Sequence, residues 1–327
     1  MSEISPKIVA LTGGGGGAKL VHGLAQRVPP ENLTIIVNTA DDFEHLSLHI
    51  SPDLDAVMYV LAGIANPVNR RGVRDESWNM MAALARYGGP TWFQLGDRDL
   101  ATKLLRTQWL GEGYPYTWIT QELSRRLGVR CTLLPMTEER VHTMIQTEER
   151  EIHCQEYFGQ WQGQPIARGI RFAGIDAAQP SREVVSAIRT ADIIILCPSH
   201  PLLSLDPILA LPNIRRILAA SRAPRIGVSC IVGGEAIKGS AGRLMAELGL
   251  EVSPVGVARH LQDVLTGFVL DHVDQAHQDA ITDLDLRPLV TGTIMLNNQD
   301  QINLAEEVLE FAYKLAKDRG LEIQANF

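Results

Sequence analysis

Five consecutive glycines, Gly13, Gly14, Gly15, Gly16 and Gly17, stand between the apolar run Ile8-Val9-Ala10-Leu11 and a helix-like stretch from Ala18 to Gln26. Glycine lets a chain turn sharply with positive φ and bring its own amides against a bulky anion, and a helix N-terminus welcomes negative charge. Strand, glycine turn and helix start together predict a phosphate cradle. Four further clusters carry residues capable of chemistry. They are Asn38-Thr39-Ala40-Asp41-Asp42, Ser51-Pro52-Asp53-Leu54-Asp55, Gly96-Asp97-Arg98-Asp99 and Pro198-Ser199-His200-Pro201. Two adjacent acids beside phosphates, Asp41 and Asp42, suit magnesium, which takes few carboxylates together with phosphate oxygens and water. Arg98 offers a planar fork for phosphate or a polar ring, or else a surface ion pair with its acidic neighbours.

The spacing departs from the best-known phosphate loops. A Walker loop needs Ser or Thr after Gly-Lys to hold the metal, and Lys19 is followed by Leu20. Gly13-x-Gly15-x-x-Ala18 formally meets a dinucleotide fingerprint, but that fold expects one acid after the second strand, not the polar cluster Asn38–Asp42. A glycine turn serving only tight strand-to-helix packing remains open. Asp53 lies in a helix first turn, where a carboxylate gains from the helix dipole, so a purely structural role is as good an account as a functional one. Asp55, further in and off the apolar stripe, has less local reason to be there and reads as functional. Asp41 and Asp42 could be turn residues. Ser199 and His200 could form a capping turn, and no nucleophile elbow supports a Ser-His-acid hydrolase. The histidines lack metal-ligand spacing, so no zinc is expected.

These residues need a framework, and short Val/Ile-rich runs alternating with helical patterns supply one. The 327 residues are 45% hydrophobic, enough for one large core or two modest ones. Lys7–Leu11, Leu33–Val37, Trp92–Leu95, Arg130–Pro135, Ile193–Cys197 and Arg225–Cys230 read as strands. Ser51 is placed as the cap and Pro52 in the first turn of a helix whose Leu54, Val57, Met58 and Leu61 share a face. Further helices are expected near Ser77–Arg86, over Ser181–Ile188, after Lys238-Gly239-Ser240-Ala241-Gly242 and over Asn303–Lys317. Short alternating runs over about 141–175 predict antiparallel strands inserted between parallel ones. The expected fold is one α/β domain over 1–327, a doubly wound, mainly parallel, Rossmann-like sheet with a small antiparallel insertion. Each polar cluster would follow a strand and converge at the carboxyl edge, where such sheets bind ligands. Net charge −8 argues against a general nucleic-acid binder. Four scattered cysteines read as reduced thiols. No membrane-spanning run or leader is read, so a cytoplasmic protein is expected.

The runs Val37-Asn38-Thr39-Ala40-Asp41-Asp42, Ile50-Ser51-Pro52-Asp53-Leu54-Asp55 with Val57-Met58-Tyr59, Leu95-Gly96-Asp97-Arg98-Asp99 and Pro198-Ser199-His200-Pro201 resemble the 2-phospho-L-lactate transferase family of coenzyme F-420 biosynthesis. The likeness runs from the glycine loop to the final helix. It implies transfer of a phosphorylated three-carbon acid from a guanosine diphosphate-linked donor to the ribityl hydroxyl of the deazaflavin Fo, with release of GMP and a need for Mg2+. The three-carbon unit could be phospholactate, phosphoenolpyruvate or phosphoglycerate. Under this resemblance Gly13–Gly17 and Lys19 hold the donor diphosphate, with Asn38 and Thr39 beside it and Ser199 and His200 near the guanosine. Asp55 and Arg98 hold Fo; Asp55, or else Asp41 or Asp42, orients or deprotonates the attacking hydroxyl, and the same three acids are the metal candidates. A homodimer is expected, with no nucleic-acid or membrane partner. Many members have Gly-Gly-Thr-Gly in the first loop, whereas this chain has only glycines, which keeps phosphate binding and leaves a hydroxyl contribution open. Proteins of the gluconeogenesis-factor type share the glycine loop and the Asp-Asp cluster and bind nucleotide sugars in a regulatory role. They lack the Ser-Pro-Asp-Leu-Asp and Gly-Asp-Arg-Asp runs, and this non-enzymatic reading is the alternative.

Overall fold

In the computed structural model, which describes residues 5–67, 72–236 and 240–321, the chain is built around one large parallel sheet. Among these residues seven strands form it: β1 (Ile8–Thr12), β2 (Leu33–Val37), β3 (Thr132–Pro135), β4 (Ile193–Leu196), β5 (Arg225–Val228), β6 (Gly267–Asp271) and β7 (Arg287–Thr291). Their order is β7-β6-β5-β4-β1-β2-β3, every pair parallel, with Ile8 facing Leu33 on one side and Ile193 on the other. A parallel strand covered by helices on both faces reads as a continuous apolar run, which is why Ile8–Leu11 and Ile193–Leu196 carry no polar residue. Ile8 and Ala10 face a core shared with helix α1 (Gly15–Arg27), helix α2 (Pro52–Leu61) and the C-terminal helix Asn298–Asp318. Val9 and Leu11 face a second core on the opposite side. The doubly wound α/β expectation is borne out.

Smaller antiparallel pieces decorate the sheet. Phe43–His45 pairs with Leu48–Ile50, and the segment after β3 forms a three-stranded sheet in which His142–Gln146 lies between Glu151–His153 and Gly169–Ala173. This is the inserted antiparallel unit that the alternating pattern predicted.

Three local expectations change. Trp92–Leu95 forms no strand; Trp92 and Phe93 instead pack their rings on Phe43 at centroid distances of 5.8 and 4.9 Å, so the apolar run is buried by side chains and not by a ladder. Gly96–Asp99 is therefore not a strand end but the start of helix α4 (Asp97–Gly111), which follows helix α3 (Asn79–Arg86). Asp97 caps α3 through the amides of Asn79 and Met80, while Glu76 receives the amides of Arg98 and Asp99 at the start of α4. The N-terminus of α3 thus takes the first residue of α4, and the N-terminus of α4 takes an acid from the segment before α3. The final helix begins at Asn298, five residues earlier than the periodicity indicated, because Asn297 and Asp300 form a reciprocal capping box. Lys238 and Gly239 lie outside the described residues.

Candidate active site

The chain passes from β1 outward through β2 and β3, then returns to place β4 on the other side of β1. The loops after β1 and β4 therefore part at a topological switch point, where doubly wound sheets open their ligand crevice. The glycine run occupies the first loop and Pro198-Ser199-His200 the second. Gly15 has φ +51°, which only glycine adopts without strain. Gly16 and Gly17 are demanded by space: a Cβ at Gly16 would lie 2.6 Å from the Pro198 carbonyl oxygen, and one at Gly17 2.2 Å from Ser199 Oγ. The N-cap residue of α1 is Gly14, which has no side chain to offer, and no acid of the helix itself stands in its first turn, which leaves this N-terminus suited to an anion. The Gly13 amide is already engaged, donating to Ser199 Oγ at 3.0 Å.

Two carboxylates face this cradle. Asp53, half-buried in the first turn of α2, lies so close that a Cβ on Gly13 or Gly14 would meet its oxygens at 2.5 and 2.7 Å. It accepts from Asn38 Nδ2 at 3.0 Å, and from Ser204 Oγ at 3.4 Å in the π-helical turn Pro201–Leu205. Asp41, in the loop after β2, is buried and accepts from Gln155 Nε2 at 3.2 Å, while its Oδ1 is buried without a hydrogen-bond partner. Burial, helped by the nearby charges of Asp53 and Asp42, pushes the Asp41 carboxyl up to about 8, against the pull of Cys154 and Asn38. Burial also raises Asp53, with Asn38, the Gly14 amide and Ser204 opposing it. Two mutually repelling carboxylates, one with an orphaned buried oxygen, form a donor set that a divalent cation would relieve. Among the described residues no three His, Cys, Asp or Glu side chains are gathered for a metal.

The remaining expected residues fall into distinct places. Asp42 is a hub: Oδ1 takes Ser51 Oγ at 2.6 Å, and Oδ2 takes Tyr116 Oη at 2.6 Å and lies 3.0 Å from His49 Nε2. The Ser51 hydroxyl therefore does not cap α2, because Asp42 claims it. Asp55 is buried against Arg106, which grips both its oxygens, and against Lys103 Nζ at 2.9 Å. Burial alone would raise the Asp55 carboxyl, but Arg106 and Lys103 outweigh it and hold it at about 2. Lys103 also pairs with Asp99, which accepts from Tyr59 Oη at 2.7 Å, so α2 and α4 are joined by a buried polar network. Arg98 is exposed, its guanidinium on the Arg74 carbonyl at 3.3 Å. Lys19 reaches the Met295 carbonyl. Thr39 is buried with an unpartnered hydroxyl. His200 caps the π-helical turn through Nδ1 on the Leu202 amide; burial takes its imidazole down to about 3, and its Nε2 is buried without a partner.

The crevice thus gathers Gly13–Gly17, Asn38, Asp41, Asp53, Ser199 and Ser204. Sequence reasoning weighed Asp53 without choosing it, and did not find Gln155, Ser204, Lys103 or Arg106. Only the last two left a signal, since Asp99, Lys103 and Arg106 stand at i, i+4 and i+7 on one helical face.

A family model described as 2-phospho-L-lactate transferase CofD matches residues 8–291. A phosphoenolpyruvate transferase of Streptomyces griseus is 38% identical over 312 residues, covering 94% of this chain and 98% of the relative. A 2-phospho-L-lactate transferase of Methanosarcina mazei is 34% identical over 303 residues, covering 93% and 99%. Among solved structures, a UPF0052-family protein of Bacillus halodurans superposes with TM-score 0.62 at 16% identity, covering 94% of this chain and 99% of that one, a likeness of fold alone.

Proposed function

Because the chain belongs to the 2-phospho-L-lactate transferase family, transferases of coenzyme F-420 biosynthesis, we propose that it moves a phosphoenolpyruvyl unit from a guanosine diphosphate-linked donor to the ribityl hydroxyl of Fo, releasing GMP. The names of the Streptomyces relatives favour phosphoenolpyruvate over phospholactate as the three-carbon unit. The observation that carries the reading is the Asp41–Asp53 pair set against the uncapped N-terminus of α1 at the switch point.

The donor's diphosphate lies on the leading amides of α1, where the helix dipole and backbone N–H groups take its charge. Asp41 and Asp53 are the carboxylates that would hold Mg2+, which supplies charge neutralisation on the diphosphate when bound. The acceptor hydroxyl attacks the phosphorus that bears the three-carbon acid, and the bond from that phosphorus to the GMP oxygen breaks. Such transfers rest on positioning and electrostatic stabilisation more than on covalent help. The hydroxyl proton passes to the Asp41–Asp53 pair as the new bond forms, a contribution on the order of 10²–10⁴-fold. Ser199 fixes the Gly13 amide, and His200 holds the Pro201–Leu205 turn that carries Ser204. Arg98, exposed at the start of α4, contacts the acceptor, whereas Asp55 acts through Lys103 and Arg106 as their counter-charge.

Incubation with Fo, Mg2+ and each of three donors, carrying phosphoenolpyruvate, 2-phospholactate or phosphoglycerate, tests this by GMP release and product mass. The enolpyruvyl product is expected to form fastest. Absence of GMP release with all three, alongside binding of a uridine-diphosphate sugar, would overturn it in favour of a regulator.

A further inference from the structure

The inserted antiparallel unit grips the Ala40–Asp42 turn of the crevice with four hydrogen bonds. The Thr143 amide donates to the Ala40 carbonyl at 2.7 Å. His142 Nδ1 and His153 Nε2 both approach the Asp42 carbonyl oxygen, at 2.9 and 3.2 Å. A carbonyl only accepts, so each of these nitrogens carries a hydrogen, and the proton position on both rings is set. The remaining nitrogen of His153, Nδ1, accepts the Gln155 amide at 3.2 Å and thereby caps the short helix Cys154–Gly159. His153 is thus spent at both ends on backbone: one end grips the turn that carries Asp41, the other the segment that carries Gln155. The fourth bond is Gln155 Nε2 to Asp41 Oδ2 at 3.2 Å, which leaves Oδ1 as the oxygen without a partner.

We infer that Gln155, delivered by the inserted sheet and held in place by His153, is a positioning residue that fixes the rotation of the Asp41 carboxylate so that Oδ1 faces the reacting groups. This rests on the reading of Asp41 as a site carboxylate. The Cys154 thiol and Asn38 also lie on this carboxylate, and the Gln155 amide, held at 3.2 Å, adds the donor that distinguishes Oδ2 from Oδ1; groups that orient a metal-binding carboxylate typically matter 10–100-fold in affinity or activity. Gln155 is half-buried and lies outside the main cores, so its replacement leaves the fold in place.

The test replaces Gln155 by Met, of similar length but without a donor, and measures Mn2+ affinity by electron paramagnetic resonance in the absence of substrates, then kcat and donor KM. The expected result is a Mn2+ Kd weakened tenfold or more and kcat reduced 10–100-fold, with donor KM within threefold and Tm within about 2 °C. Gln155→Leu serves as a second variant, read in the same way. Mn2+ affinity and kcat both within twofold of the parent would overturn the role of Gln155. Asp41→Asn, run in parallel, separates the two claims. If it binds Mn2+ and turns over normally, the reading of Asp41 itself fails; if it loses both while Gln155→Met keeps both, only the positioning role fails.

Discussion

Asp55→Asn decides whether Asp55 is a reacting group or a buried counter-charge. Asp55 and Lys103 are each 3% exposed and Arg106 1%, so the substitution leaves two cations out of water, with Asp99 still paired to Lys103 and, among the described residues, no other carboxylate bridged to Arg106. Neutralising one partner of a buried ion pair costs about 3–5 kcal/mol, and Asn keeps an acceptor oxygen, which places the loss near the lower end. Unfolding entropy of about 2.1 cal/mol/K per residue gives about 0.7 kcal/mol/K for a chain of this length, so a loss of 3 kcal/mol lowers Tm by about 4 °C. The sign with pH follows from the direction of the shift. Arg106 and Lys103 hold the folded carboxyl at about 2, below its ordinary 3.8, so this stabilisation is full above about pH 4 and fades as pH falls toward 2. The drop in Tm between parent and variant is therefore constant from pH 5 to 8. Scanning calorimetry measures it, and GMP release at 25 °C, where both proteins are folded, is expected to stay within tenfold. An unchanged Tm together with a transfer rate reduced by more than a thousandfold would refute the reasoning and restore Asp55 to the reacting centre.

Asp41→Asn acts in the opposite sense. Burial holds the folded Asp41 carboxyl at about 8, so the metal-free folded protein keeps a proton that the unfolded chain releases near 3.8, and stability falls with rising pH by about 1.4 kcal/mol per unit between those values. In a chelator, Tm of the parent is expected to fall more steeply from pH 6 to 8 than that of Asp41→Asn; equal slopes would show that the carboxyl is not held protonated. Gly17→Ala puts a methyl group 2.2 Å from Ser199 Oγ and 2.0 Å from Thr12 Oγ1, an overpacking worth about 1–3 kcal/mol. It is expected to lower Tm by about 2–4 °C and raise donor KM at least tenfold with acceptor KM unchanged, whereas unaltered constants would separate the glycine loop from donor binding.

What the amino-acid pattern reveals of the fold depends on how each segment is buried. Leu33–Val37 and Ile193–Leu196 are read correctly because a strand covered on both faces is apolar at nearly every position, with only the half-buried Thr34 departing from it here. Trp92–Leu95 carries the same local signal for a different reason: its rings complete the cluster around Phe43 and Leu95 while its backbone joins no ladder. A short apolar run reports burial but not the hydrogen-bond partner, and the partner here depends on residues some fifty positions away.

The site divides along the same line. The acids at 41, 42, 53 and 55 stand out by type, but their roles are set by what is packed against each, and all four draw partners from distant segments. Tyr116 and His49 occupy Asp42, Arg106 and Lys103 occupy Asp55, and Gln155 leaves Asp41 with one open oxygen. Asp55 attracts attention because a carboxylate off the helix dipole looks costly without a task. Its task is to neutralise two cations one helix away. Asp53 is discounted because a first-turn acid is already explained by the dipole of α2, yet the amides it lies against belong to the glycine loop of α1. Local sufficiency thus conceals a tertiary role, and local cost suggests a chemical one that a buried ion network explains instead.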